Sequence, residues 1–145
     1  AAQARDALPP DLSRRYHVFE FLASDRMAAA LAAADLVVSR AGAAVMGEYP
    51  ARSLPSILVP LPIAGGHQSA NAAVLADAGA ATVIEDADLD APHLERTVSD
   101  LLSDPPRLAG MAHAAHALDR PDAAVGIWRI VAAYASGARE TTALS

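Results

Sequence analysis

The chain of 145 residues contains no cysteine. This absence excludes disulfide bonds, thiolate nucleophiles and zinc sites built on cysteine. It is also compatible with a cytoplasmic location.

Basic residues and long apolar runs are scarce as well. The net charge of −6 disfavours a nucleic-acid partner. No apolar run approaches the roughly 18 residues that span a bilayer, and the N-terminal segment AAQARDALPPDLSRR lacks the apolar core of a signal peptide. We therefore predict a soluble protein in the cytoplasm or on the cytoplasmic face of the membrane, with any membrane contact made by segments outside this chain.

The high hydrophobic content and the order of the apolar segments predict one folded α/β domain. Hydrophobic residues make up 53% of the chain and charged residues only 19%, which favours a packed core over disorder. Apolar runs predict strands over 17–22, 36–39, 56–59 and 81–85. Helices are predicted over 26–34, from 43 to a bend at Pro50, and over 69–78, where Gly79 ends the helix. Apolar strands that alternate with helices predict a Rossmann-like parallel sheet with helices on both faces.

The C-terminal third has a different pattern. Three helices are predicted there, and they end at about residues 102, 118 and 135. Each begins at an aspartate close to a proline, namely Asp90, Asp104 and Asp119. We predict an N-terminal loop or truncated segment over 1–15, a domain over 16–136 and a flexible tail over 137–145.

The turn after the second predicted strand is a candidate anion site. Gly42 allows a tight turn, and the backbone N–H groups of Ala43 and Ala44 follow at a helix start. Such groups bind phosphate, and ligands of parallel sheets lie at the carboxyl ends of the strands. Glu48 follows six positions after Gly42 and could accept hydrogen bonds from two adjacent hydroxyls, as in a ribose. The alternatives are an ordinary turn and a solvated helix glutamate.

The loop after the third predicted strand is the second candidate. Its glycines, Gly65 and Gly66, precede His67 and Gln68, and a side-chain amide suits sugar hydroxyls. Asn71 lies one helical turn further on and could brace the loop or touch a ligand. The alternative is a flexible loop with a polar helix cap.

The remaining patterns in the sequence give weaker evidence for a functional site. His113 and His116 have the spacing of two metal ligands on a helix, but a third ligand is not evident, so we predict no metal. Paired catalytic carboxylates, a nucleophile elbow and a Walker phosphate loop are absent from the sequence.

Taken together, these segments resemble the C-terminal domain of family-28 glycosyltransferases over residues 16–135. The segments that carry the resemblance are, in order, VFEFLASDRMAAALAAADLVVSRAGA, Glu48, LPSILVPLP, HQSANA and LADAGAATVIED. The resemblance implies the C-terminal half of a GT-B fold, which binds UDP-N-acetylglucosamine (UDP-GlcNAc). The full enzyme would be an inverting hexosyltransferase that moves GlcNAc to undecaprenyl-pyrophosphoryl-MurNAc-pentapeptide in peptidoglycan synthesis, with no cofactor.

The resemblance also assigns roles to individual residues. It implies that Phe21 and Leu22 line the uracil pocket, that residues 43–45 face the diphosphate and sugar, and that Glu48 holds the ribose. It implies further contacts to the GlcNAc or diphosphate from Gln68, His67, Asn71 and Arg40.

The chain departs from the family pattern at several positions. The family usually has Thr in place of Val45, Ser in place of Gly47 and Gly in place of Ser53, and a smooth helix in place of Tyr49-Pro50. These departures leave room for another nucleotide sugar.

The resemblance implies parts that this chain lacks. The lipid-linked acceptor and the base belong to an N-terminal domain, and the first strand of the C-terminal domain is missing, so we expect a fragment or subunit that is inactive alone. Two alternatives stay open: a non-catalytic nucleotide-sugar-binding subunit completed by a partner chain, and a nucleotide-sugar epimerase of the same architecture.

Overall fold

The computed structural model describes residues 5, 7–62 and 66–135. The chain divides into two compact units, Ala1–Ala33 and Ala34–Ser145. The first unit contains helices α1 (Pro10–Ser13) and α2 (Ser24–Ala33). The boundary between the units falls inside the predicted domain over 16–136, whose extent stays a prediction.

The second unit is built on a parallel sheet. Its strands are β1 (Val37–Ser39), β2 (Ser56–Leu58) and β3 (Ala81–Val83), in the spatial order β1-β2-β3. Both pairs are parallel, and Val38, Ile57 and Thr82 lie side by side. The predicted α/β class is confirmed, and these three strands lie within the predicted ranges.

In the described residues of the second unit, five helices lie between the strands or after them. They are α3 (Val45–Glu48), α4 (His67–Asp77), α5 (Ala91–Leu102), α6 (Pro105–Ala117) and α7 (Ala123–Ala135). Short 3₁₀ turns occupy Pro50–Arg52 and Asp86–Asp88. The helix predicted from residue 43 is thus a single turn that ends two residues before Pro50, which cannot donate a backbone hydrogen bond.

The strand predicted over residues 17–22 is wrong. The structure describes these residues without strand pairing. Phe19 and Phe21 are 52% and 84% exposed, and the Phe19 ring lies 5.3 Å from the Arg26 guanidinium. An apolar and aromatic run forms a strand only when a neighbouring strand pairs with it and covers one face. This segment has neither in the described part of the chain.

The hydrophobic core lies on the sheet and covers both faces of β2. Ile57 packs with Val59, Ile84, Leu101 and Met111 on one face. Leu58 points to the opposite face, because side chains alternate along a strand, and it is also fully buried. Burial of both faces explains why the strand reads as an uninterrupted apolar run.

The predicted ends of several helices are confirmed at atomic detail. The Asp90 carboxylate accepts a hydrogen bond from the backbone N–H of His93 at 2.7 Å, and Asp104 accepts one from Arg107 at 3.0 Å. These contacts satisfy N–H groups that the first turn of a helix leaves unpaired.

The C-terminal end of α4 is set by Gly79. This glycine has a φ of +82°, and the N–H of Ala80 donates to the carbonyl of Leu75 at 2.8 Å. The pattern is a Schellman motif, in which a left-handed residue closes the helix.

The third predicted cap is misplaced. Helix α7 begins at Ala123 and not at Asp119, because residues 120–123 form a turn closed by the Ala123 N–H donating to the Arg120 carbonyl.

Ser53 replaces the usual family glycine at a backbone position that favours glycine. Its φ is +51°, in the left-handed region, and its hydroxyl lies 3.3 Å from Nδ1 of His116. We expect Ser53→Gly to raise the free energy of unfolding by about 0.5–1 kcal/mol, because glycine adopts this conformation without the Cβ clash. Urea denaturation measures the change.

The matched control is Ser53→Ala, which removes the hydroxyl and keeps the clash. It should be neutral or slightly destabilising. A Ser53→Gly variant less stable than Ser53→Ala would contradict the assignment of strain to this residue.

Candidate functional site

The turn that follows β1 presents unpaired backbone donors. The Val45 N–H donates to the carbonyl of Gly42 at 3.2 Å, which closes the turn. In the described part of the chain the N–H groups of Gly42, Ala43 and Ala44 donate no hydrogen bond, and Ala43 and Ala44 are exposed. Three adjacent N–H groups without acceptors can bind an anion such as a phosphate.

Side chains from three elements hold this turn in place. Asn71 Nδ2 donates to the carbonyl of Ala41 at 3.0 Å, so Asn71 braces the turn. The Tyr49 hydroxyl donates to Ser39 Oγ at 2.8 Å, and the Ser39 hydroxyl in turn donates to the carbonyl of Arg40 at 3.0 Å. Tyr49, a departure from the family pattern, therefore ties the residue after α3 to the end of β1.

Two of the departures from the resembled family pattern lie in α3. The Val45 side chain is only 4% exposed, so it is buried in the protein, and its N–H is already used in the turn. Gly47 is exposed, and a Cβ placed there would meet no atom within 4 Å. The structure therefore has room for the serine that the family usually carries at this position.

The dipole of α3 contributes little to anion binding. The helix has four residues, whereas a macrodipole grows with the number of aligned peptide groups. Individual N–H groups at Ala43 and Ala44 are the stronger electrostatic feature of this turn.

Glu48 lies at the end of α3 and is exposed. Among the described residues its carboxylate has no hydrogen bond or ion pair. The carboxylate is therefore able to accept two hydrogen bonds from a ligand.

The second candidate loop is held by Gln68. Its side-chain oxygen accepts a hydrogen bond from the backbone N–H of Leu61 at 3.0 Å, which leaves the NH₂ group to donate elsewhere. Gly66 precedes α4 with a φ of +61°, as expected for a residue that permits a left-handed turn. His67 is exposed at the start of the helix, while Gly65 lies outside the described residues.

Arg40 is engaged by the protein itself. Its guanidinium donates to the Asp86 carboxylate and, at 3.3 Å, to the backbone carbonyl of Val59. Sequence reasoning missed Asp86, although it directly follows the predicted fourth strand at the edge where ligands bind.

The structure brings together most of the predicted site residues. Those from Arg40 to Asn71 lie around the carboxyl ends of β1 and β2. Phe21 and Leu22 belong to the first unit, where Phe21 is 84% exposed and Leu22 is half-buried. Their role at a uracil base stays a prediction.

The described residues offer neither a metal-binding group nor a membrane-spanning helix. Residues 5, 7–62 and 66–135 contain no group of three His, Asp or Glu side chains that could hold a metal ion. His113 and His116 are both exposed on α6, and His116 contacts Ser53. Across the same residues, each helix is too short or too polar to cross a bilayer.

Comparison with known proteins decides the family. The family described as glycosyltransferase family 28 C-terminal domain matches residues 3–127. The chain belongs to this family. The resemblance stated from the sequence segments is therefore confirmed.

Similar proteins point to one enzyme within the family. The chain is 51% identical over 100 residues to a protein of Mycolicibacterium paratuberculosis named UDP-N-acetylglucosamine--N-acetylmuramyl-(pentapeptide) pyrophosphoryl-undecaprenol N-acetylglucosamine transferase; the match covers 69% of this chain and 24% of that protein. It is 47% identical over 118 residues to the protein of the same name from Mycobacterium bovis BCG, with 81% and 29% covered. The crystal structure of Acinetobacter baumannii MurG matches with a TM-score of 0.70 at 32% identity, covering 80% of this chain and 34% of that one.

These matches also define what the chain spans. It corresponds to about a quarter to a third of the length of these relatives. The matched part is similar to the C-terminal GT-B half of MurG, which confirms the predicted fold class.

Proposed function

We propose that this chain is the donor-binding part of an N-acetylglucosaminyltransferase and that it holds UDP-GlcNAc. The observation that carries the proposal is the turn at residues 42–44, whose N–H groups are unpaired in the described part of the chain, followed by the exposed Glu48, whose backbone N–H donates to the carbonyl of Ala44 at 2.9 Å. This arrangement matches the two chemical parts of a nucleoside diphosphate, an anionic diphosphate and a ribose diol. The names of the relatives supply the sugar, N-acetylglucosamine, and the acceptor, a pyrophosphoryl-undecaprenol carrier.

The chain would contribute stabilisation of the leaving group. Transfer breaks the bond between the sugar and the diphosphate, so negative charge develops on UDP in the transition state. N–H groups fixed before the reaction stabilise such charge, because they need not reorient as it forms. Ala43 and Ala44 are the donors in this role, and Asn71 and Tyr49 hold the turn that carries them.

Gln68 would contact the sugar. Its NH₂ group donates to a GlcNAc hydroxyl while its oxygen stays bound to Leu61. His67 begins α4, and Asn71 lies one helical turn further on. Activation of the acceptor hydroxyl requires a base, which we assign to the part of the enzyme that binds the lipid-linked acceptor. Contact with the membrane surface would come from that part as well.

Calorimetric titration of the chain tests donor binding. UDP-GlcNAc and UDP should bind, and GDP should bind at least about tenfold more weakly, because the family resemblance implies a uracil pocket that a purine would not fit. In ¹⁵N–¹H spectra, UDP should shift the amide signals of Ala43 and Ala44, whereas signals from the distant helix α7 serve as the control. Absence of binding by both uridine nucleotides, or equal binding of GDP, would reject the proposal.

Product analysis separates transfer from the alternatives. Incubated alone with labelled UDP-GlcNAc and the lipid-linked acceptor, the chain should give neither glycosylated lipid nor free epimer, because it supplies only the leaving-group side of the reaction. Turnover by this chain alone would contradict that division of roles, and release of an epimer would identify an epimerase.

A further inference from the structure

Arg40 connects the carboxyl ends of the three strands. It follows β1 directly, and its guanidinium donates both to the carbonyl of Val59, which follows β2, and to Asp86, which lies in the 3₁₀ turn after β3. The two side chains are 43% and 33% exposed, so the pair lies at the rim of the unit and not in its core.

This position links the two loops of the proposed donor site. The turn that presents Ala43 and Ala44 begins at Arg40, and the loop that begins after Val59 holds Gln68 through the N–H of Leu61. One guanidinium thus fixes the anion-binding turn relative to the sugar-binding amide. Displacements of less than 1 Å between such groups are enough to impair a binding site.

We propose that Arg40 is a positioning residue, held by Asp86, that locks these two loops together and does not itself bind the diphosphate. The inference rests on the proposed donor site. It differs from the role implied by family resemblance, in which Arg40 contacts the ligand, because here Nη1 of the guanidinium donates to two protein acceptors, Asp86 and the carbonyl of Val59. Asp86 thereby becomes part of the site's support although it is 46 residues away in sequence.

The decisive variant is Asp86→Asn in the full 145-residue chain, titrated with UDP-GlcNAc. A positioning role predicts that Asp86→Asn weakens binding by about fivefold or more, that Arg40→Met does the same, and that the double variant is no weaker than either alone. Asp86→Glu, which keeps the carboxylate, should restore most of the affinity. A direct contact between Arg40 and the diphosphate predicts the opposite for Asp86→Asn: unchanged or tighter binding, because removal of the carboxylate frees the guanidinium.

Thermal unfolding provides the readout that separates positioning from a general loss of structure. Exposed ion pairs contribute little to stability, so the thermal midpoints of these variants should stay within about 3 °C of the parent chain. A drop in midpoint that parallels the loss of affinity would overturn the proposal. Arg96→Met, on the exposed surface of α5, is the matched control and should bind normally.

Failure of this inference is distinguishable from failure of the donor site. Suppose that the parent chain binds UDP-GlcNAc and that Glu48→Ala weakens this binding. If Asp86→Asn then leaves the binding unchanged, only the role of Arg40 is wrong. If the parent chain does not bind, or Glu48→Ala has no effect, the donor site itself is rejected.

Discussion

Replacing Glu48 with alanine is expected to weaken binding of UDP-GlcNAc by about 10- to 100-fold, the effect of losing hydrogen bonds to a charged group. Glu48 is exposed four residues after Ala44, and its carboxylate has no competing hydrogen bond or ion pair among the described residues. Since no contact within the described part of the chain depends on it, the variant should fold normally. Calorimetric titration measures the affinity, and urea denaturation checks the fold.

A modified ligand identifies the group that Glu48 binds. The parent chain should bind UDP more tightly than 2′-deoxy-UDP, because the deoxy analogue lacks one of the two ribose hydroxyls. In Glu48→Ala this preference should disappear. Glu95→Ala, an exposed glutamate on α5, is the control. A preference that persists unchanged in Glu48→Ala would show that another residue reads the ribose.

The second large effect is expected from the core. Ile57 is fully buried in the central strand and packs with Val59, Ile84, Leu101 and Met111. We expect Ile57→Ala to lower the free energy of unfolding by about 2–5 kcal/mol, because it removes apolar contacts and leaves a cavity. A loss of this size is a large part of the total stability of a typical domain, about 5–15 kcal/mol.

A smaller change at the same position is the matched control. Ile57→Val removes one methylene and should cost about 0.5–1.5 kcal/mol. Urea denaturation should show lower midpoints with an unchanged slope, which indicates that the surface exposed on unfolding is the same. If Ile57→Ala costs no more than Ile57→Val, the packing assigned to β2 is wrong.

Local rules predicted the parts of the fold that depend on neighbouring residues. Asp90 and Asp104 cap helices within three residues of themselves, and Gly79 closes a helix whose last turn directly precedes it. The same kind of reasoning failed over residues 17–22. Whether such a run becomes a strand depends on a pairing partner, which local sequence does not contain.

The features of the candidate site also divide into those that the sequence predicted and those that only the structure revealed. The sequence pattern predicted a site at the turn of Gly42, the carboxylate of Glu48 and the amide of Gln68, since strand ends and glycines mark where ligands of a parallel sheet bind. It did not find the bond from Tyr49 to Ser39, because a buried hydroxyl partner has no signature in the residue types alone. It also could not show that the Val45 side chain is buried, and the role of residues 43–45 at the diphosphate stays a prediction from the resemblance.

By itself, the sequence determined the α/β class, the order of β1, β2 and β3 along the chain, the family and the chemical types available at the site. These properties follow from short-range patterns and from segments that occur in a set order. Only the tertiary structure decided which distant groups meet: Asn71 with Ala41, and Arg40 with both Val59 and Asp86, across separations of 30, 19 and 46 residues. Such contacts arise when packing of the sheet brings strand ends together, and they are the basis of the positioning role proposed for Arg40.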